Sequence, residues 1–194
     1  LIVCAASRQQ AVDLSFRAVN LGALEVIAKP DGATQDLRAW GRKVAESVRL
    51  MAEIPVVTRR RKWSSPTAPW QPGPHPIDVV GIVASTGGPP ALAQILSSLP
   101  ATFPVPILVA QHLAPGFSAG LVRWLDSVSP LDVQLAVDDL ACRPGKVYLP
   151  PDGHNLEVDT EGVIRVTRST GGHCPSGNRL LASIAAAYRA RAAG

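Results

Sequence analysis

Two polar residues, each directly after a buried apolar run, carry the side chains best suited to chemistry in this 194-residue chain. Ser85 follows the run 78–84 and precedes a Thr-Gly-Gly turn, while His112 follows the run 105–111. A serine hydroxyl is a weak nucleophile at neutral pH until a base within about 3 Å accepts its proton. The pair therefore predicts acyl transfer, with Ser85 as the nucleophile and His112 as the general base.

The turn at residues 85–88 leaves other interpretations open. It has the position of a nucleophile elbow, but Val83 stands where that motif has its first glycine. A glycine-rich loop before a helix can equally bind a phosphate group, and it can be a tight turn without any chemistry. His112 on its own is typical of a structural histidine, and only its pairing with Ser85 favours the catalytic interpretation.

The remaining histidines and cysteines do not predict a metal site. Cys142, His154, His173 and Cys174 could be assembled into one on paper, but none of them has the close spacing of a zinc knuckle. The acidic pair at residues 138–139 is interpreted as an exposed turn.

A parallel sheet would position the two candidate residues. Strand-like apolar runs alternate with helical patterns in the order 78–84, 89–99, 105–111, 116–128 and 132–137. Successive strand–helix units predict an α/β fold with a doubly wound, mostly parallel, Rossmann-like sheet. Neighbouring strands of such a sheet end at the same edge, roughly 5 Å apart, so the two residues would meet if their strands are adjacent.

The rest of the chain predicts smaller elements. Segments 146–149, 156–159 and 163–166, separated by glycine turns, are interpreted as an antiparallel ribbon. A final helix is predicted over 176–192, with no strand after it, so the sheet is expected to be incomplete.

Before residue 55 the pattern predicts a separate βαβ unit. Strands are expected at 1–5 and 24–28 around a helix, and a second helix is expected over 34–51 with Thr34 as its N-cap. Residues 55–76 contain six prolines and no hydrophobic periodicity, which predicts a semi-extended linker.

Charge and composition exclude several classes. The net charge of +4 equals the basic run 59–62, so the rest of the chain sums to zero and no nucleic-acid-binding face is indicated. Three distant cysteines suit a reducing compartment, and no apolar run approaches the ~18 residues of a membrane span. We therefore expect a cytoplasmic protein without membrane insertion.

Three motifs carry a family resemblance. Residues 84–89 read Ala-Ser-Thr-Gly-Gly-Pro, residues 111–117 read Gln-His-Leu-Ala-Pro-Gly-Phe, and residues 144–151 read Pro-Gly-Lys-Val-Tyr-Leu-Pro-Pro. Together, in this order and spacing, they resemble the chemotaxis protein-glutamate methylesterase family over about residues 77–190. The segment 22–30 resembles the last third of the receiver domain that precedes this esterase, and Lys29 matches its phosphoryl-sensing lysine.

The resemblance implies a domain organisation. Residues 1–54 would be the end of a receiver domain, residues 55–76 a Pro/Arg-rich linker, and residues 77–194 a three-layer methylesterase domain. The family's triad aspartate lies in a Gly-Met-Gly-x-Asp-Gly motif that does not occur before Gly194. The esterase domain is therefore expected to be truncated at its C-terminus and weak or inactive as it stands.

The resemblance also implies a function. It is hydrolysis of glutamate methyl esters on methyl-accepting chemoreceptors, with deamidation of receptor glutamines as a related activity. Ser85 would be the nucleophile, His112 the general base and the Thr86 N–H an oxyanion donor, with no metal or organic cofactor. A histidine kinase would be the partner of the full receiver domain. The alternatives are a non-catalytic regulatory or docking paralogue and a phosphate-binding module using residues 86–88.

Overall fold

The computed structural model describes residues 2–4, 18, 23, 26–28, 37–52 and 76–194. The chain divides into two compact units, Leu1–Pro69 and Trp70–Gly194. In the first unit, strand β1 (Ile2–Cys4) pairs in parallel with β2 (Val26–Ala28), and helix α1 covers Leu37–Ala52. This confirms the predicted parallel strand pair and the second helix. The predicted cap Thr34, Lys29 and residues 55–75 of the linker lie outside the described residues.

The second unit is built on a five-stranded parallel sheet. Its strand order is β5-β6-β4-β3-β9, and every neighbouring pair is parallel. This confirms the predicted α/β fold with a mostly parallel sheet. The elements are β3 (Val79–Ala84), α2 (Gly88–Ser98), β4 (Ile107–Gln111), α3 (Ser118–Val128), β5 (Asp132–Leu135), β6 (Lys146–Leu149) and β9 (Ala192–Ala193).

A hairpin and a helix cover part of this sheet. Strands β7 (His154–Val158) and β8 (Ile164–Arg168) are antiparallel, as predicted, and α4 covers Gly177–Tyr188. The Ser176 hydroxyl caps α4 by accepting a hydrogen bond from the Arg179 N–H. One core joins sheet, hairpin and helix, because its fully buried side chains come from all three. They include Leu108, Tyr148, Leu156, Ile164 and Leu180.

The interpretation of residues 146–149 as part of the ribbon is wrong. These residues form β6, which lies inside the parallel sheet between β5 and β4. Adjacent parallel strands usually need a helical crossover, and no helical pattern separates β5 from β6. The crossover is instead an irregular segment that packs Leu140 and Cys142 against the core. Because it lacks a helix, the local pattern resembled a hairpin.

The predicted end of the last helix is also wrong. The helix stops at Tyr188, a 3₁₀ turn covers Arg189–Arg191, and β9 then pairs in parallel with the start of β3. Alanine dominates residues 185–193, so composition alone favours a continuous helix. Arg189 has a φ of 52°, which interrupts the helix and turns the chain toward the sheet edge.

A helix that crosses a bilayer needs about 20 consecutive, mainly apolar residues. Within the described ranges, no helix is both long enough and apolar enough to cross a membrane.

Candidate active site at the carboxyl edge of β3 and β4

Ser85 and His112 lie side by side at one edge of the sheet. The last register pair of β3 and β4 is Ala84 with Gln111, and the His112 N–H donates to the Ala84 carbonyl at 2.9 Å. Ser85 and His112 are therefore each the first residue beyond the same rung. Both are exposed to solvent. The strands are adjacent, as the proposed pairing of hydroxyl and imidazole requires.

The turn after Ser85 presents its backbone at the same edge. The Gly88 N–H donates to the Ser85 carbonyl at 2.8 Å, and Gly87 adopts a left-handed conformation with a φ of 76°. Thr86 is exposed, and within residues 76–194 no hydrogen bond occupies its N–H. One backbone donor next to Ser85 is thus available to a ligand.

The same turn is poorly suited to a phosphate group. Phosphate binding at a helix N-terminus uses several free N–H groups of the first turn. Here the Gly88 N–H is already bonded to Ser85, and the next two residues, Pro89 and Pro90, have no N–H. This geometry disfavours the phosphate-binding interpretation of residues 86–88.

A buried amide lies beneath the two candidate residues. Gln111 is only 4% exposed, and its Nε2 donates to the carbonyls of Ser85 and His112 at 2.9 Å each. From the sequence, Gln111 was expected only to end a strand. The signals in the sequence were a polar residue at the end of an otherwise apolar run and its place at the start of the motif 111–117.

The structure also brings His173 to the site. Its ring contacts the His112 ring edge to face, with centroids 5.8 Å apart. From the sequence, His173 was named only as a member of the metal grouping that its spacing argued against. Sixty residues separate the two histidines, so no local sequence spacing predicts their contact. The chain brings His173 back to His112 just before α4.

The other histidine and cysteine candidates make structural contacts. Among the described residues, no group of three or more His, Cys, Asp or Glu side chains could hold a metal ion. The Cys142 N–H donates to Gly162, and burial raises the pKa of its thiol to about 11, with the Asp159 carboxylate acting in the same direction. The Cys174 thiol donates to the His154 carbonyl.

The acidic pair at residues 138–139 forms an exposed turn, as predicted. Asp138 accepts a hydrogen bond from the Val166 N–H at 2.8 Å, and Asp139 forms an ion pair with Arg165. These contacts hold the turn against the hairpin, so the two carboxylates have a structural role.

Fold and site together define a class. The second unit is an α/β protein that presents a hydroxyl, an imidazole and a free backbone N–H at the carboxyl edge of a parallel sheet, where such folds place their functional residues. The chain belongs to the CheB methylesterase family, whose model matches residues 80–194.

Individual relatives agree with this family. The chain is 51% identical over 195 residues to protein-glutamate methylesterase/protein-glutamine glutaminase 3 of Myxococcus xanthus, covering 100% of this chain and 54% of that protein. Enzyme 4 of the same organism is 41% identical over 97% of this chain and 56% of its own length. The chain thus spans about half the length of these relatives.

A solved structure supports the fold assignment. The crystal structure of the Thermotoga maritima CheB methylesterase catalytic domain is 34% identical to this chain, with a TM-score of 0.55. The match covers 60% of this chain and 64% of that structure.

Proposed function

We propose that the protein is a protein-glutamate methylesterase that hydrolyses glutamate methyl esters on chemoreceptors in bacterial chemotaxis. The observation that carries the proposal is the position of Ser85 and His112, each one residue beyond the last rung of two adjacent strands. The names of the relatives and the family model support the substrate class.

The proposed reaction uses three groups of this edge. The Ser85 oxygen attacks the ester carbonyl carbon while His112 accepts the hydroxyl proton. The oxyanion that forms accepts a hydrogen bond from the Thr86 N–H, a contact that typically contributes about 3 kcal/mol to such steps. The tetrahedral intermediate then expels methanol, which takes the proton from His112. Water, activated by the same imidazole, hydrolyses the acyl-enzyme and restores Ser85.

Deamidation of receptor glutamines would follow the same course. The serine oxygen attacks the amide carbon, and ammonia leaves in place of methanol with the proton carried by His112. Both activities occur in the names of the relatives. No step requires a metal or an organic cofactor.

We also propose the domain organisation that accompanies this activity. Residues 1–54 are the end of a receiver domain, 55–76 a linker, and 77–194 the esterase domain, with a histidine kinase as the partner of the complete receiver. The parallel pairing of β1 with β2 and the following helix α1 support the receiver assignment. The division into units between Pro69 and Trp70 falls inside the proposed linker.

The test compares two serine variants of the natural protein at its full length. Ser85→Ala should lower methanol release from methyl-labelled receptor membranes at least about 10³-fold, because the nucleophile is gone. Ser98→Ala is the matched control, since that exposed hydroxyl only donates to the Ile95 carbonyl within α2, and it should retain the rate. Full activity in Ser85→Ala would refute the serine mechanism. Receptor binding without methanol release by the unmodified protein would favour the docking paralogue.

A further inference from the structure

Gln111 is a buried polar residue that the proposed mechanism does not use. It is the last residue of β4, after the apolar residues of that strand and directly before His112. Its Nε2 bridges two carbonyls from different strand ends, Ser85 O and His112 O, at 2.9 Å each. These carbonyls belong to the two residues that the mechanism requires to be in register.

The hydrogen bonds determine the orientation of the amide. Two carbonyl acceptors require two N–H donors, which only the NH₂ end of the Gln111 side chain can supply. The oxygen Oε1 must then point the other way. Among the described residues it is a buried side-chain polar atom without a hydrogen-bond partner. Burying an unpaired acceptor costs stability, so the site carries a cost that the two donated bonds offset.

The turn is shaped around this side chain. A Cβ on Gly88 would overlap Gln111 Oε1 and would come within 2.8 Å of the Ala84 Cβ. Glycine at this position therefore leaves the space in which the amide lies. Gly88 is buried and begins α2, so the amide also contacts the helix that follows the proposed nucleophile.

We propose that Gln111 is a positioning residue whose buried carboxamide joins the backbones of Ser85 and His112 and fixes the separation of hydroxyl and imidazole. The inference rests on the proposed function. The ladder ends at Ala84 and Gln111, so beyond it only a few bonds hold the two strand ends together. A displacement of about 1 Å between reacting groups can cost about 10²-fold in rate, so this restraint matters for catalysis.

The experiment uses Gln111→Met and Gln111→Glu in the natural protein at its full length. Met has similar bulk and no donors, and we expect kcat to fall about 10²-fold with KM within about twofold. Glu keeps the shape but supplies at most one donor, and only when protonated, so it cannot hold both carbonyls and we expect kcat to fall here as well. Ser129→Ala is the matched control. The Ser129 hydroxyl also links two backbone groups, Leu96 O and Leu131 N, and it lies next to the start of β5, away from the carboxyl edge.

Amide hydrogen exchange provides a readout independent of activity. In Gln111→Met, the Gly88 and His112 amides should exchange at least about tenfold faster. The His112 N–H bonds Ala84 O across the two strand ends, and the Gly88 N–H bonds the same Ser85 carbonyl that Gln111 holds in place. Ser129→Ala should leave these two amides and kcat unchanged. If Gln111→Met does not fold, the same measurements on Gln111→Glu decide the question.

Two results separate the inference from the proposed function. The positioning role alone would be overturned if the folded Gln111 variants keep the kcat and exchange rates of the unmodified protein while Ser85→Ala, tested separately, is inactive. Activity in Ser85→Ala would overturn the proposed function itself. A loss of melting temperature in Gln111→Met with unchanged kcat would show that the amide serves stability only.

Discussion

The carboxyl edge of β3 and β4 and the β7–β8 hairpin are stabilised in opposite ways. At the edge, Ser85 and His112 are exposed, and their backbones are held by main-chain bonds and one neutral buried amide. At the hairpin, charged side chains form ion pairs. Arg165 pairs with Asp139 of the turn after β5, and it pairs with Asp159 at 2.7 Å, while Glu157 pairs with Arg179 of α4 at 2.6 Å.

This difference shows which side chains remain available to bind a substrate. The proposed nucleophile and base must be free to meet a substrate, so their positions have to be fixed through the backbone and by the amide beneath them. The hairpin has no such requirement, and its carboxylates can be committed to guanidinium groups and to backbone amides. Changes beneath the edge should therefore reduce activity, whereas changes in the hairpin should reduce stability alone.

The largest combined effect on stability and activity is expected from Gly88→Ala. The added methyl group overlaps Gln111 Oε1 and approaches the Ala84 Cβ to 2.8 Å, so stability should fall by about 1–3 kcal/mol and methanol release should fall strongly. Gly87→Ala is the matched control, because its left-handed φ of 76° disfavours alanine but its Cβ meets nothing within 4 Å. Chemical denaturation measures the stability of each variant, and hydrolysis of methyl esters measures its activity. A Gly88→Ala protein with unchanged stability and rate would remove the distinction between the edge and the hairpin.

A smaller effect, on stability alone, is expected in the hairpin. Asp159 accepts hydrogen bonds from the Glu161 and Val163 N–H groups at 2.9 and 3.0 Å, and it also pairs with Arg165. Asp159→Ala should therefore lower the free energy of unfolding by about 2 kcal/mol without changing kcat.

The control for Asp159 is an exposed ion pair elsewhere. Asp132→Ala removes a surface contact with Lys146, and such pairs contribute about 0–1 kcal/mol. Urea denaturation should rank the two variants, with Asp159→Ala clearly the less stable. A drop in kcat for folded Asp159→Ala would mean that the hairpin also shapes the catalytic edge.

The smallest effect is expected at alkaline pH beside the hairpin. Burial raises the pKa of Cys142 from 9.0 to about 11, so the unfolded chain loses this proton first. The stabilisation is complete below pH 9 and is lost as the pH rises through 11. Allowing for partial exposure, about 1 kcal/mol should disappear over this range. Burial also raises the pKa values of Tyr148 and Tyr188, which adds to the trend.

Cys142→Ala isolates the thiol contribution. The free energy of unfolding of this variant at pH 7 reports the change in packing. The change in that free energy between pH 9 and pH 11 reports the groups that still titrate without the thiol. The variant should show a shallower decline than the unmodified protein, and an identical decline would assign the alkaline loss to other groups.

Much of the fold could be predicted because its signals are local. Buried strands 78–84 and 105–111 are continuous apolar runs, and the glycine turns predicted the β7–β8 hairpin. The predictions failed where local patterns had two solutions. Residues 146–149 resemble any short strand, and an alanine-rich segment after Tyr188 resembles a helix until a single residue interrupts it.

The candidate site shows the same division. Ser85 and His112 could be proposed as candidates because each follows an apolar run at a strand end. Gln111 and His173 could not, because their contacts depend on neighbouring strands and on a distant loop.

The sequence by itself determined the strand–helix alternation and the residue types at the strand ends, because hydrophobic periodicity and turn chemistry act over a few neighbours. Only the tertiary structure decided that β3 and β4 are adjacent, that β6 enters the sheet and that one amide joins two strand ends. Strand order depends on burying the whole core at once, and no short segment of the chain encodes that.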